Sequence, residues 1–181
     1  MNDLFKSDAD TDSVEKRGGF SHDKTVGKEE WLTPKHVLDA LGEFDTDPCA
    51  AQVRPWSIGT KYNFTIFENG LIRPWFGRVW LNPPYGSQLP RWLSRMAKHD
   101  GGGIALVFAR TETSSFFPWV WDHAHGFLFL RGRLTFCDNT GKLGKMSAGA
   151  PSMLISYSPH DSEVLKHAAS ASLPGKFLRN G

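Results

Sequence analysis

The chain has 181 residues, 40% of them apolar and 22% charged, which is the balance of one soluble globular domain with a real core and no room for two. No apolar run approaches the roughly 20 residues needed to cross a bilayer, the start lacks the basic-then-apolar order of a secretion signal, and the two cysteines, Cys49 and Cys137, make no disulfide framework. A cytoplasmic protein without a membrane anchor is therefore expected. The net charge of +2 is uneven. Residues 1–30 hold five Lys/Arg and eight Asp/Glu, and residues 31–181 hold sixteen and eleven, so the part expected to fold is basic, which permits a nucleic-acid partner.

Residues 1–28 are polar and without apolar period, and read as a disordered tail. Structure is expected from about residue 29. Thr33-Pro34 reads as a helix cap followed by proline at the first helical position, Val37, Leu38 and Leu41 mark one face, and Gly42 closes the helix. Glu43–Pro48 alternates as a short strand does before a proline stop. Residues 51–70 are hard to read, with a short strand or turn suggested near Tyr62–Phe67.

Arg78–Leu81 reads as a strand and Leu89–His99 as a helix with Leu93 and Met96-Ala97 inward. Ile104–Ala109 is a continuous apolar run, as in a strand covered on both faces. Ser114–His123 suggests a helix with Pro118 in its first turn. Gly126–Leu130, Arg133–Cys137 and Ser152–Tyr157 read as strands, with Asp138–Pro151 as a long hairpin loop. Residues 160–181 are expected to form a short helix and then frayed chain. Strands alternating with helices imply an α/β fold whose sheet is mostly parallel, with an antiparallel C-terminal hairpin.

The chemistry concentrates at Asn82-Pro83-Pro84-Tyr85. An apolar strand ends there on an amide and two prolines. In a parallel sheet, ligands bind beyond the carboxyl ends of the strands, so the Asn82 amide and the Pro83 carbonyl would face that crevice. Both prolines fix φ and lack an N–H, so the turn presents acceptors held in place. Rigid acceptors suit an exocyclic amino group, and Tyr85 adds a flat face for stacking a base. The duller alternative is a proline-kinked strand exit.

This loop resembles the catalytic (D/N/S)PP(Y/F/W) loop of amino-methyltransferases that use S-adenosylmethionine. The order of motifs is similar to that of the phage and prophage-type DNA N-6-adenine methyltransferases. It runs Trp31-Leu32-Thr33-Pro34, Asp47-Pro48-Cys49-Ala50, Asn69-Gly70-Leu71, Asn82–Gly86 and Gly132–Phe136, and it covers about residues 31–157. The resemblance implies a single Rossmann-like methyltransferase domain over residues 29–159, in the cytoplasm of a bacterial host. Its implied activity is methyl transfer to adenine N6 in double-stranded DNA, with the base flipped out of the helix, and no metal.

By the same resemblance Asn82, Pro83, Pro84 and Tyr85 are catalytic. Trp31, Thr33, Pro34, Asp47, Pro48, Cys49, Ala50 and Asn69 hold S-adenosylmethionine. Tyr85, Phe136, Arg131, Arg133, Lys142 and Lys145 meet the DNA. Each has a plainer reading: Thr33-Pro34 as a cap, Asp47-Pro48 and Asn69-Gly70 as turns, and Phe136 as core. The chain departs from most relatives in two ways: Asp47–Ala51 lacks a glycine-rich loop, and no second strand ends in an acid for the ribose. Two rival functions stay open. One is methylation of another nitrogen, such as cytosine N4 or an RNA base, and the other is an inactive nucleic-acid-binding module of the same fold.

Overall fold

The computed structural model describes residues 30–181. The expected tail over 1–28 lies outside the described residues. Seven strands form one sheet in the order β2-β1-β3-β4-β6-β5-β7. They are β1 (Thr46–Asp47), β2 (Tyr62–Asn63), β3 (Val79–Leu81), β4 (Gly103–Phe108), β5 (Gly126–Leu130), β6 (Ser152–Ser156) and β7 (Gly175–Arg179). Three helices accompany them: α1 (Lys35–Leu41), α2 (Leu89–Ala97) and α3 (Pro159–Ala171).

The α/β class holds, but the sheet is mixed rather than mostly parallel. Pairings β1–β2, β1–β3 and β3–β4 are parallel, while β4–β6, β5–β6 and β5–β7 are antiparallel. The antiparallel half is larger than expected because the C-terminal segment does not fray. After α3 the chain returns as β7 and pairs with β5 from Gly126 to Leu130. Conversely, Arg133–Cys137 is not a strand of the sheet, since Cys137 makes only isolated bridges, to Leu32 and Leu143. The hairpin is β5–β6, and residues 131–151 connect its strands. The helix expected over Ser114–His123 reduces to one wide π-helical turn, Phe117–Trp121, with Pro118 near its start.

The core lies on both faces of the sheet. One side packs Trp92, Leu93 and Met96 of α2 against Leu81, Ala105, Val107 and Ile155. The other packs Val37, Leu38 and Leu41 of α1 and Leu165 of α3 against Trp80, Ile104, Leu106 and Leu154. Alternate residues of β4 therefore go to opposite clusters, and burial on both faces makes its sequence continuously apolar. Gly103 lets β4 start beside β3, because its φ is +138° and a Cβ there would sit 2.1 Å from the Val79 carbonyl oxygen.

The edge opposite the Asn82–Tyr85 loop is tied by one ion pair. Arg78 Nε donates to Asp161 Oδ1 at 2.6 Å, and its Nη1 donates to the carbonyls of Leu41 and Glu43 at 2.9 and 2.7 Å. Asp161 Oδ2 accepts the Gly103 N–H at 2.7 Å. The ends of α1, β3, β4 and α3 are thus fixed at one point, which leaves the carboxyl edge to carry loops.

Candidate active site

Strand order reverses between β1 and β3: the chain moves outward to β2 on one side of this gap and to β4 on the other. A reversal of this kind opens a crevice beyond the carboxyl ends of the two strands. β1 ends at Asp47 and β3 at Leu81, so the Asp47–Ala50 and Asn82–Tyr85 loops flank one crevice. Thr33 enters it from the start of α1. It does not cap that helix, where Pro34 takes the cap position with no side-chain hydrogen bond. Instead its buried hydroxyl accepts from Asn82 Nδ2 at 3.3 Å, which leaves Asn82 Oδ1 free to accept from a ligand.

The crevice is lined by Trp31, Thr33, Asp47, Cys49, Arg54, Trp56 and Asn82, among others, and leaves about 50 Å³ of space. Asp47 is its buried acid. Oδ1 accepts the Cys49 N–H at 3.1 Å, and Oδ2 faces Arg54 Nη1 at 3.2 Å. Burial pushes the carboxyl up to about 6, against the opposing pull of the Arg54 charge and the Cys49 N–H. Burial and the neighbouring carboxylate also raise the Cys49 thiol, which makes it a wall of the crevice and not a nucleophile. Arg54 is held from its other side, with Nη2 donating to Asn63 Oδ1 at 2.5 Å.

Asn69 takes a left-handed conformation, φ 54°, in an exposed turn. The following Gly70 presses on Pro48, where a Cβ would lie 2.0 Å from the Pro48 carbonyl oxygen. That turn supports the Asp47–Ala50 loop from behind, and the Asn69 side chain is not among the residues lining the crevice. Pro48 and Ala50 of that loop are buried.

Pro83 is buried and Pro84 exposed. Tyr85 departs from the expected open stacking face. Its ring lies on that of Phe108, at the carboxyl end of β4, with centroids 4.1 Å apart and planes 8° from parallel. Its hydroxyl is buried and has no hydrogen-bond partner among the described residues. An unpaired buried hydroxyl costs about 1–3 kcal/mol, so Tyr85→Phe should raise the unfolding free energy by about 1 kcal/mol in urea titration. Loss of stability in that variant would mean the hydroxyl is bonded.

Phe136 is 8% exposed and belongs to the core cluster of Val37, Leu41 and Trp80, the plainer of its two readings, and the aromatic stacked on Tyr85 is Phe108. Asp138–Pro151, expected as a long hairpin loop, is part of the 131–151 connection, which forms a roof. Leu32 and Cys137 exchange backbone hydrogen bonds of 2.8 and 2.9 Å. Asp138 Oδ1 accepts the N–H groups of Thr140 and Lys142 at 2.9 and 3.1 Å, shaping the tip. Close approaches fix it to both crevice walls: a Cβ on Gly141 would meet Trp56 at 2.7 Å, and one on Gly144 would meet Trp31 at 2.9 Å. Arg131, Arg133, Lys142 and Lys145 are exposed on this roof, at the edge where Asn82 sits.

Sequence reasoning missed Arg54, Trp56 and Phe108. Phe108 had a signal, as the last aromatic of an apolar strand whose carboxyl end adjoins the β3 end. Arg54 and Trp56 had none, because residues 51–61 have no regular structure to read.

The pattern that defines the DNA N-6-adenine-methyltransferase (Dam) family matches residues 20–173. A DNA N-6-adenine-methyltransferase of Haemophilus phage HP1 is 27% identical over 148 residues, which is 77% of this chain and 84% of the phage protein. No solved structure matches. With its crevice, its amide-and-proline loop and a match over most of its length, the chain belongs to the DNA N-6-adenine-methyltransferase (Dam) family.

Proposed function

We propose that this enzyme transfers a methyl group from S-adenosylmethionine to the N6 amino group of adenine in double-stranded DNA, with the target base turned out of the helix. Family membership supports the reaction, and the observation that carries the site is Asn82 held by Thr33 at the strand-order reversal. We assign the catalytic domain, expected over residues 29–159, as a Rossmann-like variant that runs on to Arg179, with α3 packed on the sheet and β7 forming its last strand. The relative from a phage supports a phage or prophage origin and a bacterial cytoplasm as the place of action.

The donor set of the crevice fits an amino-acid ligand. Asp47 suits an ammonium, Arg54 and the Thr33 hydroxyl suit a carboxylate, and Trp31 and Trp56 offer apolar faces to a ring. Room is the constraint: about 50 Å³ is open, while small-molecule sites typically measure about 300–1,000 Å³. Residues 51–58 therefore have to move outward, taking Arg54 off Asp47, for the ligand to enter. Until then Arg54 occupies the position of a ligand cation. When bound, S-adenosylmethionine supplies an electrophilic methyl group.

Adenine N6 inside a duplex is out of reach of the crevice, so the base must leave its stack. Its amino nitrogen is conjugated with the ring and weakly nucleophilic. Asn82 Oδ1 and the Pro83 carbonyl would accept its two N–H bonds, drawing the nitrogen toward tetrahedral geometry and freeing its lone pair. As the N–C bond forms, the methyl's bond to sulfur breaks, leaving the thioether S-adenosylhomocysteine, and the surplus N6 proton passes to solvent. The prolines and the Thr33 contact keep these acceptors from reorganising, so positioning and electrostatics carry the rate. Tyr85 meets the base with its ring, after parting from Phe108. The exposed cations Arg131, Arg133, Lys142 and Lys145 meet phosphates or base edges. No residue assigned here calls for a metal.

The test is incubation with labelled S-adenosylmethionine and duplex DNA, followed by digestion to nucleosides. Label should appear in N6-methyladenine. Label only in N4-methylcytosine, or none in any DNA, would sink the proposal. The narrow crevice also favours a second reading, a DNA-binding module that does not take the methyl donor. Titration with S-adenosylmethionine decides between them, because that module would show no binding heat.

A further inference from the structure

On the face of the sheet that carries α2, an open groove of about 750 Å³ runs between that helix, Pro74-Trp75 and the Phe117–Trp121 turn. Arg91, Arg95 and Lys98 stand along one side of it, and no carboxylate lines it. Among the described residues none of the three has an ion-pair partner. Arg95 donates to the carbonyls of Leu71 and Arg73 and lies 4.7 Å over the Trp75 ring. Lys98 Nζ lies 4.8 Å over Trp119, and Arg91 donates only to Gln88 Oε1 at 3.1 Å. A row of uncompensated cations on a surface repels itself, so it needs an anion.

We propose that this groove holds the phosphate backbone of DNA flanking the target base. The inference rests on the DNA reading above. Arg91 and Arg95 lie in α2 and Lys98 caps its C-terminus, at spacings i, i+4 and i+7, so the three follow one side of the helix and span about 10 Å of rise at 1.5 Å per residue. That matches about three nucleotides at 3.4 Å per strand. α2 begins at Leu89, three residues after Gly86 of the catalytic loop, so a strand leaving that loop meets Arg91 first and Lys98 last. Trp119 lies beneath the Lys98 ammonium, while Trp75 and the Leu71 and Arg73 carbonyls hold Arg95 at the groove wall. Phosphate contacts of this kind fix register without reading sequence. They supply a grip that the roof loop, with its own cations on the neighbouring edge, does not need to provide alone.

The test measures equilibrium binding of the full chain to a labelled duplex, without methyl donor, between 50 and 200 mM salt. The comparison is wild type against Arg91→Gln/Lys98→Gln. Arg95 is left in place because it holds the 71–73 backbone. Each phosphate contact contributes about 0.9 to the slope of log K against log salt, so the double variant should show a slope shallower by about 2. Wild type should lose roughly tenfold more affinity than the variant across that range. The loss should be equal on duplexes with and without adenine, and S-adenosylmethionine binding should be unchanged.

An unchanged slope and affinity would overturn the proposal. So would competition by polyglutamate that depends on Arg91 and Lys98 while DNA binding does not, since that would assign the groove to an acidic protein. The two readings fail separately. Wild type that transfers no methyl but shows this salt dependence keeps the groove and loses the activity. Wild type that methylates, with a variant indistinguishable from it, does the reverse.

Discussion

Asn82→Ala should lower the rate of methyl transfer by about 10²–10³-fold, the usual effect of removing one preorganised hydrogen-bonding group, with S-adenosylmethionine affinity close to wild type. In the proposed mechanism the amide acts on the amine that receives the methyl, so its loss belongs to the chemical step. It should appear equally in kcat and kcat/KM. The geometry also predicts an asymmetry with its neighbour. Thr33→Val removes the 3.3 Å support under Asn82 Nδ2 but leaves the amide itself, so its effect on the transfer rate should be smaller than that of Asn82→Ala, with donor affinity weakened as well by loss of the hydroxyl proposed to meet its carboxylate. Single-turnover rates on saturating duplex, with donor affinity from calorimetry, measure both. An Asn82→Ala enzyme with normal turnover would return the loop to a proline-kinked strand exit.

How far the sequence is legible depends on whether a residue's job is decided locally. β4 is legible because burial on both faces demands an unbroken apolar run. The Asn82 loop is legible because an amide at the end of such a strand has no reason to be there unless something satisfies it. β7 is not, since Lys176, Leu178 and Arg179 are exposed on a sheet edge and Gly175–Arg179 looks like a tail until β5 is there to receive it. Arg133–Cys137 has a strand's alternation, but its hydrogen bonds go to Leu32 and the roof, a pairing between segments about 100 residues apart. The Tyr85–Phe108 stack and the Asp47–Arg54 pair are also tertiary facts. In each, one partner carries a motif and the other only the composition of core or loop.

The Asp47–Arg54 pair carries the second large effect. Asp47→Asn should stabilise the free protein at neutral pH and cripple donor binding. The carboxyl rises from an ordinary 3.8 to about 6, chiefly because it is buried. An acid whose folded pKa lies above its unfolded one binds its proton more tightly in the folded state. Stability is then fullest below about pH 4 and is lost as pH rises through about 6. At pH 7 the shift corresponds to roughly 3 kcal/mol, at about 1.4 kcal/mol per unit.

Asparagine is neutral at every pH, so the variant should exceed wild type by roughly that amount at pH 7 and match it near pH 4. Urea unfolding from pH 4 to 8 reads this directly. A variant less stable than wild type at pH 7 would mean that the Arg54 contact outweighs the burial. Donor binding should move the other way. A ligand ammonium needs the ionised carboxylate, so wild-type affinity should rise between pH 5 and 7 as Asp47 loses its proton, and the variant should bind weakly with no such rise. On the proposed reading, the charge of this buried acid is used when a ligand cation replaces Arg54 beside it. That exchange also explains how a crevice of about 50 Å³ can belong to an enzyme that has to hold a much larger donor.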